Sequence, residues 1–210
     1  MSRRAKTPRF KEYRQLVNTF DWLAGDQPVW PPGRLTLELG CGRGDFIVEL
    51  ARRYPNQGFA GLDIKSDRMW FGAKLATRQK IRNLVFVRAA AVDLADLLGE
   101  IELKCLWLTF PDPYPKKHQA KHRLTHPLYL SIYGQVLSAG GYLYLKTDDR
   151  MLFDWTVEQI NAGSDLKLKT VSYDLHGQYP IDSDFRIATA YENRFMAEGK
   201  KINFLSAVRN

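Results

Sequence analysis

Apolar and polar positions fall into blocks along the chain. Short runs rich in β-branched and aromatic residues occur at Leu35 to Leu39, Phe59 to Ile64, Leu84 to Arg88, Leu103 to Phe110 and Tyr142 to Lys146. Stretches with helical spacing separate them, at Asp45 to Arg53, Ser66 to Lys80, Pro127 to Leu137 and Arg150 to Ala162. Strand followed by helix, repeated, predicts βα units around a buried parallel sheet. A further helix is predicted within Phe10 to Leu23. After Ala162 the pattern changes: Leu166 to Tyr173 and Ile202 to Val208 alternate like strands, and no helix of crossover length immediately follows the first. That predicts an antiparallel ending, since parallel neighbours need a long crossover. Residues Tyr179 to Arg186 read as a loop. The expected fold is therefore α/β, a mostly parallel sheet of about seven strands with helices on both faces and an antiparallel C-terminal strand.

Length and composition narrow this picture. The 210 residues suffice for one filled core, and no Ser/Gly/Pro-rich linker interrupts them. One domain is expected over residues 26–210, preceded by a basic arm and helix over 1–25. No apolar run reaches the roughly 18 residues of a membrane span, and the basic N-terminus lacks the apolar core of a secretory signal. The expectation is a cytoplasmic protein without membrane contact, either monomer or homodimer. Cys41 and Cys105 are far apart and outside any Cys-x-x-Cys pair, which suggests reduced thiols rather than a disulfide framework or zinc site. His118, His122 and His126 are spaced by four, but Pro127 and the nearby lysines argue against a helical metal site, so no metal is expected.

The formal charge of +8 is unevenly spread. Arg3, Arg4, Lys6, Arg9, Lys11 and Arg14 crowd the start of the chain, opposed there by Glu12 alone. Lys116, Lys117, His118, Lys121, His122 and Arg123 form a second cluster. Such density repels itself unless solvated or bound to phosphate, which points to a nucleic-acid partner.

Candidate chemistry begins where the first apolar run meets glycines, in LELGCGRG, Leu37 to Gly44. Gly40, Gly42 and Gly44 allow a tight turn and close approach of a ligand to the backbone. A dinucleotide fingerprint would put its third glycine at position 45, where this chain has Asp45, a negative charge beside the expected pyrophosphate. S-adenosylmethionine carries no phosphate, and its ammonium and sulfonium suit an acid such as Glu38 in the turn. Asp63, 19 residues beyond Gly44 at the end of the next run, suits the two hydroxyls of a ribose and does not by itself choose between NAD and S-adenosylmethionine. The plainer readings are a tight strand-to-helix connection for the glycines and a loop-entry residue for Asp63. The segment Arg88 to Asp93 offers little polar reach toward an adenine, so apolar or backbone contact is expected around Ala90.

A second segment follows the fourth run. The string FPDPYPKKHQAKHRL, Phe110 to Leu124, together with LELGCGRG, GLDIK, LKTDD at Leu145 to Asp149 and TAYENRF at Thr189 to Phe195, resembles the tRNA (guanine-N(7)-)-methyltransferase family. The likeness runs from about Leu37 to Leu205, with five motifs in the family's order. It implies a Rossmann-like class I methyltransferase using S-adenosylmethionine, with tRNA as partner and a guanosine of the variable loop as target. It further implies that Glu38, Gly40, Gly42, Gly44, Asp63, Ala90 and Asp112 hold the cofactor, with Asp112 also catalytic. Lys116, Asp148, Thr189, Ala190, Tyr191 and Glu192 match the family's substrate-binding positions. Ala90 departs from the polar or acidic residue common there, and Tyr114 replaces the usual tryptophan.

The residue types suit that chemistry. Guanine N(7) has an in-plane lone pair and no proton to remove, so positioning and exclusion of water supply most of the acceleration. Methylation leaves the purine cationic, and a carboxylate at Asp112 stabilises that charge as it develops. Glu192 or Asp148 suits the N(1)–H and amino group of guanine. Three plainer readings stand beside these: Asp112 as a turn initiator, Asp148 or Asp149 as a helix cap, and Thr189 to Glu192 as a capping box. An exocyclic-amine methyltransferase on DNA or RNA, and a non-catalytic RNA-binding protein of the same fold, are the alternative functions.

Overall fold

The computed structural model describes residues 8–210, which form two compact units, the first running to Ile101 and the second from Glu102 to Asn210. The basic positions Arg3, Arg4 and Lys6 lie outside the described residues. No helix among the described residues is long and apolar enough to cross a membrane.

In the first unit, strands β1 (Thr19–Asp21), β2 (Leu35–Leu39), β3 (Gly58–Asp63) and β4 (Leu84–Arg88) lie in the order β1-β4-β3-β2, every neighbouring pair parallel. Helices α1 (Pro8–Tyr13), α2 (Asp45–Arg53), α3 (Ser66–Arg78) and α4 (Leu94–Leu98) accompany them. Strand β2 is buried along its whole length, as expected of a parallel strand covered on both faces. The helix expected from Phe10 to Leu23 is shorter than predicted, because its second half forms β1. Burial of Tyr13 explains the change: its hydroxyl donates to the carbonyls of Phe20 (3.1 Å) and Phe86 (2.9 Å), and the Phe86 amide donates to the Asn18 carbonyl at 2.8 Å. A three-residue strand is too short to show a period.

The second unit contains β5 (Leu103–Thr109), β6 (Leu137–Thr147), β7 (Leu166–Ser172) and β8 (Asn203–Arg209), ordered β5-β6-β8-β7. Strands β5 and β6 run parallel, whereas β8 is antiparallel to both β6 and β7. The antiparallel ending is therefore present, with β8 inserted between its neighbours. The described residues hold eight strands rather than about seven, the addition being β1. Strand β6 begins five residues earlier than expected: Leu137 already pairs with Leu103, and a bulge carrying Gly140 at φ 74° restores the register at Cys105 and Tyr142.

Helices α5 (Pro127–Val136), α6 (Arg150–Asn161), α7 (Leu175–Gln178) and α8 (Ala190–Ala197) complete this unit. The predicted loop Tyr179 to Arg186 contains a 3-10 turn at Asp184–Arg186. It is anchored by aromatic packing, with Phe185 4.8 Å from Phe204 and 5.2 Å from Tyr179 between ring centres.

Candidate functional site

In the first unit the site residues grow out of the β2-to-α2 connection. Gly40, Gly42 and Gly44 adopt φ of 73°, 56° and 75°, the left-handed region that favours glycine. Gly42 and Gly44 serve different ends. A Cβ on Gly42 would meet nothing within 4 Å, so that backbone borders open space. A Cβ on Gly44 would come within 2.6 Å of the Phe86 ring, and Cβ atoms on Gly61 and Gly72 would strike the same ring. Three glycines thus make a slot for fully buried Phe86.

Gly44 also sits at the N-cap of α2 with no side chain to satisfy the helix's first amides. Glu38, 1% exposed, supplies the acceptor from the preceding strand: its Oε2 accepts from the Ile47 amide at 3.2 Å. Asp63 accepts from the Gly42 amide through Oδ2 (3.0 Å) and from the Lys65 amide through Oδ1 (2.9 Å). The turn is thereby clamped to the end of β3. Each carboxylate oxygen has a second acceptor site, so Asp63 can still take two hydroxyls. Ala90, partly exposed with an extended backbone, begins the 3-10 turn Ala91–Asp93 and presents only a methyl group. Cys41, within the turn, is buried. Burial pushes its thiol well above the ordinary range, and the Glu38 and Asp63 charges add to the shift, so it packs as a neutral apolar group.

This arrangement fits S-adenosylmethionine. A positive-φ turn faces open space at Gly42, one carboxylate is buried under it, and a second retains free acceptor sites beside it.

In the second unit the chain leaves β5 through a strained loop. Phe110 and Tyr114 hold φ of 51° and 43° without being glycine, each costing about 1 to 3 kcal/mol unless the surroundings impose it. The surroundings do. The Phe110 amide donates to the Lys146 carbonyl at 2.8 Å. Arg123, 4% exposed, donates from Nε to the Pro113 carbonyl (3.1 Å) and from Nη2 to the Tyr114 carbonyl (3.1 Å), with its guanidinium over the Trp155 ring. Arg123 therefore leaves the basic cluster in which the sequence placed it: it clamps the loop. Lys116, Lys117, His118, Lys121 and His122 remain exposed. Between the two strained residues, Asp112 is exposed and has no hydrogen bond or ion pair among the described residues.

Asp148 pairs with Lys200 at 3.0 Å, at the rim of an open hollow of about 470 Å³ that Arg150, Tyr173, Asp174 and Lys201 also line. The adjacent Asp149 is the cap: its Oδ1 accepts from the Leu152 amide at 2.7 Å at the start of α6. Thr189 caps α8 in the same way, its hydroxyl accepting from the Glu192 amide at 3.1 Å. The reciprocal half of a capping box does not form. Glu192 turns inward instead, wholly buried, with Oε2 2.6 Å from the Lys146 ammonium and Oε1 2.7 Å from His176 Nε2. The Oε2 contact falls outside hydrogen-bonding alignment and holds by charge. Arg186 Nε donates to His176 Nδ1 at 3.0 Å, so the proton on Nε2 is the one given to Glu192. Lys146 also donates to the Ile187 carbonyl at 2.9 Å. Ala190 and Tyr191 remain exposed above this buried network.

The sequence reading missed Lys146, His176 and Arg186. One signal was present: the apolar run Tyr142 to Lys146 ends on a lysine, and a lysine has to be paired when buried.

The family model described as "Putative methyltransferase" matches residues 32–205. A tRNA (guanine-N(7)-)-methyltransferase of Cytophaga hutchinsonii is 33% identical over 96% of both chains. The chain belongs to the tRNA (guanine-N(7)-)-methyltransferase family. A member from Porphyromonas gingivalis is 36% identical over 89% of this chain and 73% of its own. Among solved structures, a 16S rRNA (adenine(1408)-N(1))-methyltransferase variant of Catenulisporales acidiphilia, determined with its cosubstrate SAM, shares 19% identity at a TM-score of 0.62. That match covers 84% of this chain and 85% of the other. At that identity the likeness shows the fold, a class I methyltransferase.

Proposed function

We propose that the protein transfers a methyl group from S-adenosylmethionine to N(7) of a guanosine in tRNA, within the variable loop, forming 7-methylguanosine. The observation that carries this reading is the 33% identity to a tRNA (guanine-N(7)-)-methyltransferase over nearly the full length of both chains. The free Asp112 carboxylate on its imposed loop supports it. We further propose that residues 26–210 work as one methyltransferase module, with residues 1–25 as a basic arm and helix. The family match, which runs through both units, supports that extent.

S-adenosylmethionine supplies an activated methyl group that needs no general base when the acceptor is guanine N(7). In this reading Glu38, the Gly40 to Gly44 turn and Asp63 hold the donor, and Ala90 offers an apolar contact to its base. Asp112, held by Arg123 and the two positive-φ residues, presents negative charge to the donor and to the purine as the latter becomes cationic. Lys116 contacts RNA phosphate. Asp148 can accept from the guanine edge once released from Lys200. Thr189, Ala190 and Tyr191 line the acceptor, while Glu192 acts from below, anchoring the first turn of α8 to Lys146 and His176.

Incubation with S-adenosylmethionine and unmodified tRNA, followed by nucleoside digestion, is expected to yield 7-methylguanosine mapping to the variable loop. A digest without it would sink the reading, and a neutral methylated purine would favour an exocyclic-amine methyltransferase. Asp112→Asn should slow methylation roughly a hundredfold, with thermal unfolding nearly unchanged because the side chain is exposed and unpartnered.

A further inference from the structure

Three cations in the first unit stand on two aromatic rings. Arg43, in the glycine turn, lies 4.0 Å above the Phe71 ring, and Arg9 of α1 lies 4.7 Å from the same ring and 5.6 Å from that of Trp70. Lys74 lies 4.4 Å from Trp70, whose ring meets Phe71 edge-on at 5.0 Å. All three cationic residues are exposed, and none has a carboxylate partner among the described residues. This sets them apart from Arg14, Arg52, Arg53 and Arg88, which pair with Asp26, Glu49 or Asp21.

A cation resting on a ring face keeps its charge and its outward N–H donors while losing side-chain freedom, so less ordering entropy remains to be lost when an anion binds. A carboxylate partner would neutralise that advantage. Three such unneutralised cations gathered over the Trp70 and Phe71 rings complement a polyanion with charges spaced along a chain, and the net charge of +8 is of the matching sign.

We propose that Arg9, Arg43 and Lys74, supported by Trp70 and Phe71, form a docking surface for the phosphate backbone of the tRNA substrate. The surface contacts phosphates and reads no bases, and it is separate from the Lys116 to His122 cluster. It rests on the proposed tRNA activity.

The test measures binding of an unmodified tRNA transcript across salt concentrations. The Arg9→Gln/Lys74→Gln double variant, both positions lying outside the glycine turn, should reduce the slope of log affinity against log salt by about 1.5. Affinity near 0.1 M salt should fall roughly tenfold, with S-adenosylmethionine affinity unchanged. Adding Arg43→Gln should deepen the loss. Phe71→Leu keeps every charge but removes a supporting ring, and should weaken tRNA binding about threefold with little change in slope. A protein that methylates tRNA yet shows the same slope and affinity in the double variant overturns the surface alone. Loss of S-adenosylmethionine binding in that variant overturns it as well, by assigning the cations to the cofactor. A wild-type protein that neither binds nor methylates tRNA overturns the tRNA reading and the surface with it.

Discussion

The two units hold their candidate carboxylates by opposite means. In the first, Glu38 and Asp63 are held by main-chain amides: Ile47 in the first turn of α2 for Glu38, Gly42 of the glycine turn and Lys65 after β3 for Asp63. In the second, Asp112 is left free while a side-chain scaffold works beneath it and its neighbours, through Arg123 on the loop carbonyls and Lys146, His176 and Arg186 below Glu192. Backbone clamping suits a small cofactor of fixed shape, since a turn with fixed dihedrals presents the same surface each time. A scaffold of buried side chains leaves the acceptor-facing groups exposed for a large partner.

That contrast makes the second unit the more fragile. Lys146→Met leaves the buried Glu192 carboxylate with only His176 and should cost about 3 to 5 kcal/mol in urea unfolding. Lys146→Met combined with Glu192→Leu should recover much of that loss while leaving tRNA affinity low; equal stability in the single and double variants would show that the pair is no scaffold. The first unit is expected to fail through its packing. Gly44→Ala puts a methyl group into the Phe86 ring and a side chain at φ 75°, for a loss of roughly 2 to 4 kcal/mol. Gly42→Ala meets open space and should cost about 1 kcal/mol, with its larger effect on S-adenosylmethionine affinity measured by calorimetry. Similar stability losses at the two glycines would remove the distinction drawn between them. Between the two glycines in its cost stands Arg123→Lys, which keeps the charge but loses the fork over the Pro113 and Tyr114 carbonyls, about 1 to 3 kcal/mol. Its methylation rate should drop while S-adenosylmethionine binding holds; an unchanged rate would show that the loop keeps its shape without the clamp.

Strands β2, β3 and β4 were legible as apolar runs because they are buried along nearly their whole length, and β7 because its burial alternates. The strand Leu35–Leu39 and the helix Asp45–Arg53 occupy the predicted positions residue for residue. Strand β1 was not legible, since three residues joined to β4 carry no periodic signal and depend on the buried Tyr13 hydroxyl. The roles of Asp149 and Thr189 as caps were among the readings the sequence allowed, because capping is local. The inward turn of Glu192 was not, because its partner Lys146 lies 46 positions away in the chain.

By itself the sequence determined the βα order, the glycine turn with its acids, the basic clusters and the motif series that places the chain in its family. These depend on local propensity and on residue types at short spacing. Only the tertiary structure decided which charges are spent inside the protein. It buried Arg123 and Glu192, left Asp112 exposed, and stood Arg9, Arg43 and Lys74 on aromatic rings without carboxylate partners. The reason is physical: whether a charged side chain is solvated, paired or stacked depends on what the fold brings beside it from distant parts of the chain, and spacing along the chain carries no record of that.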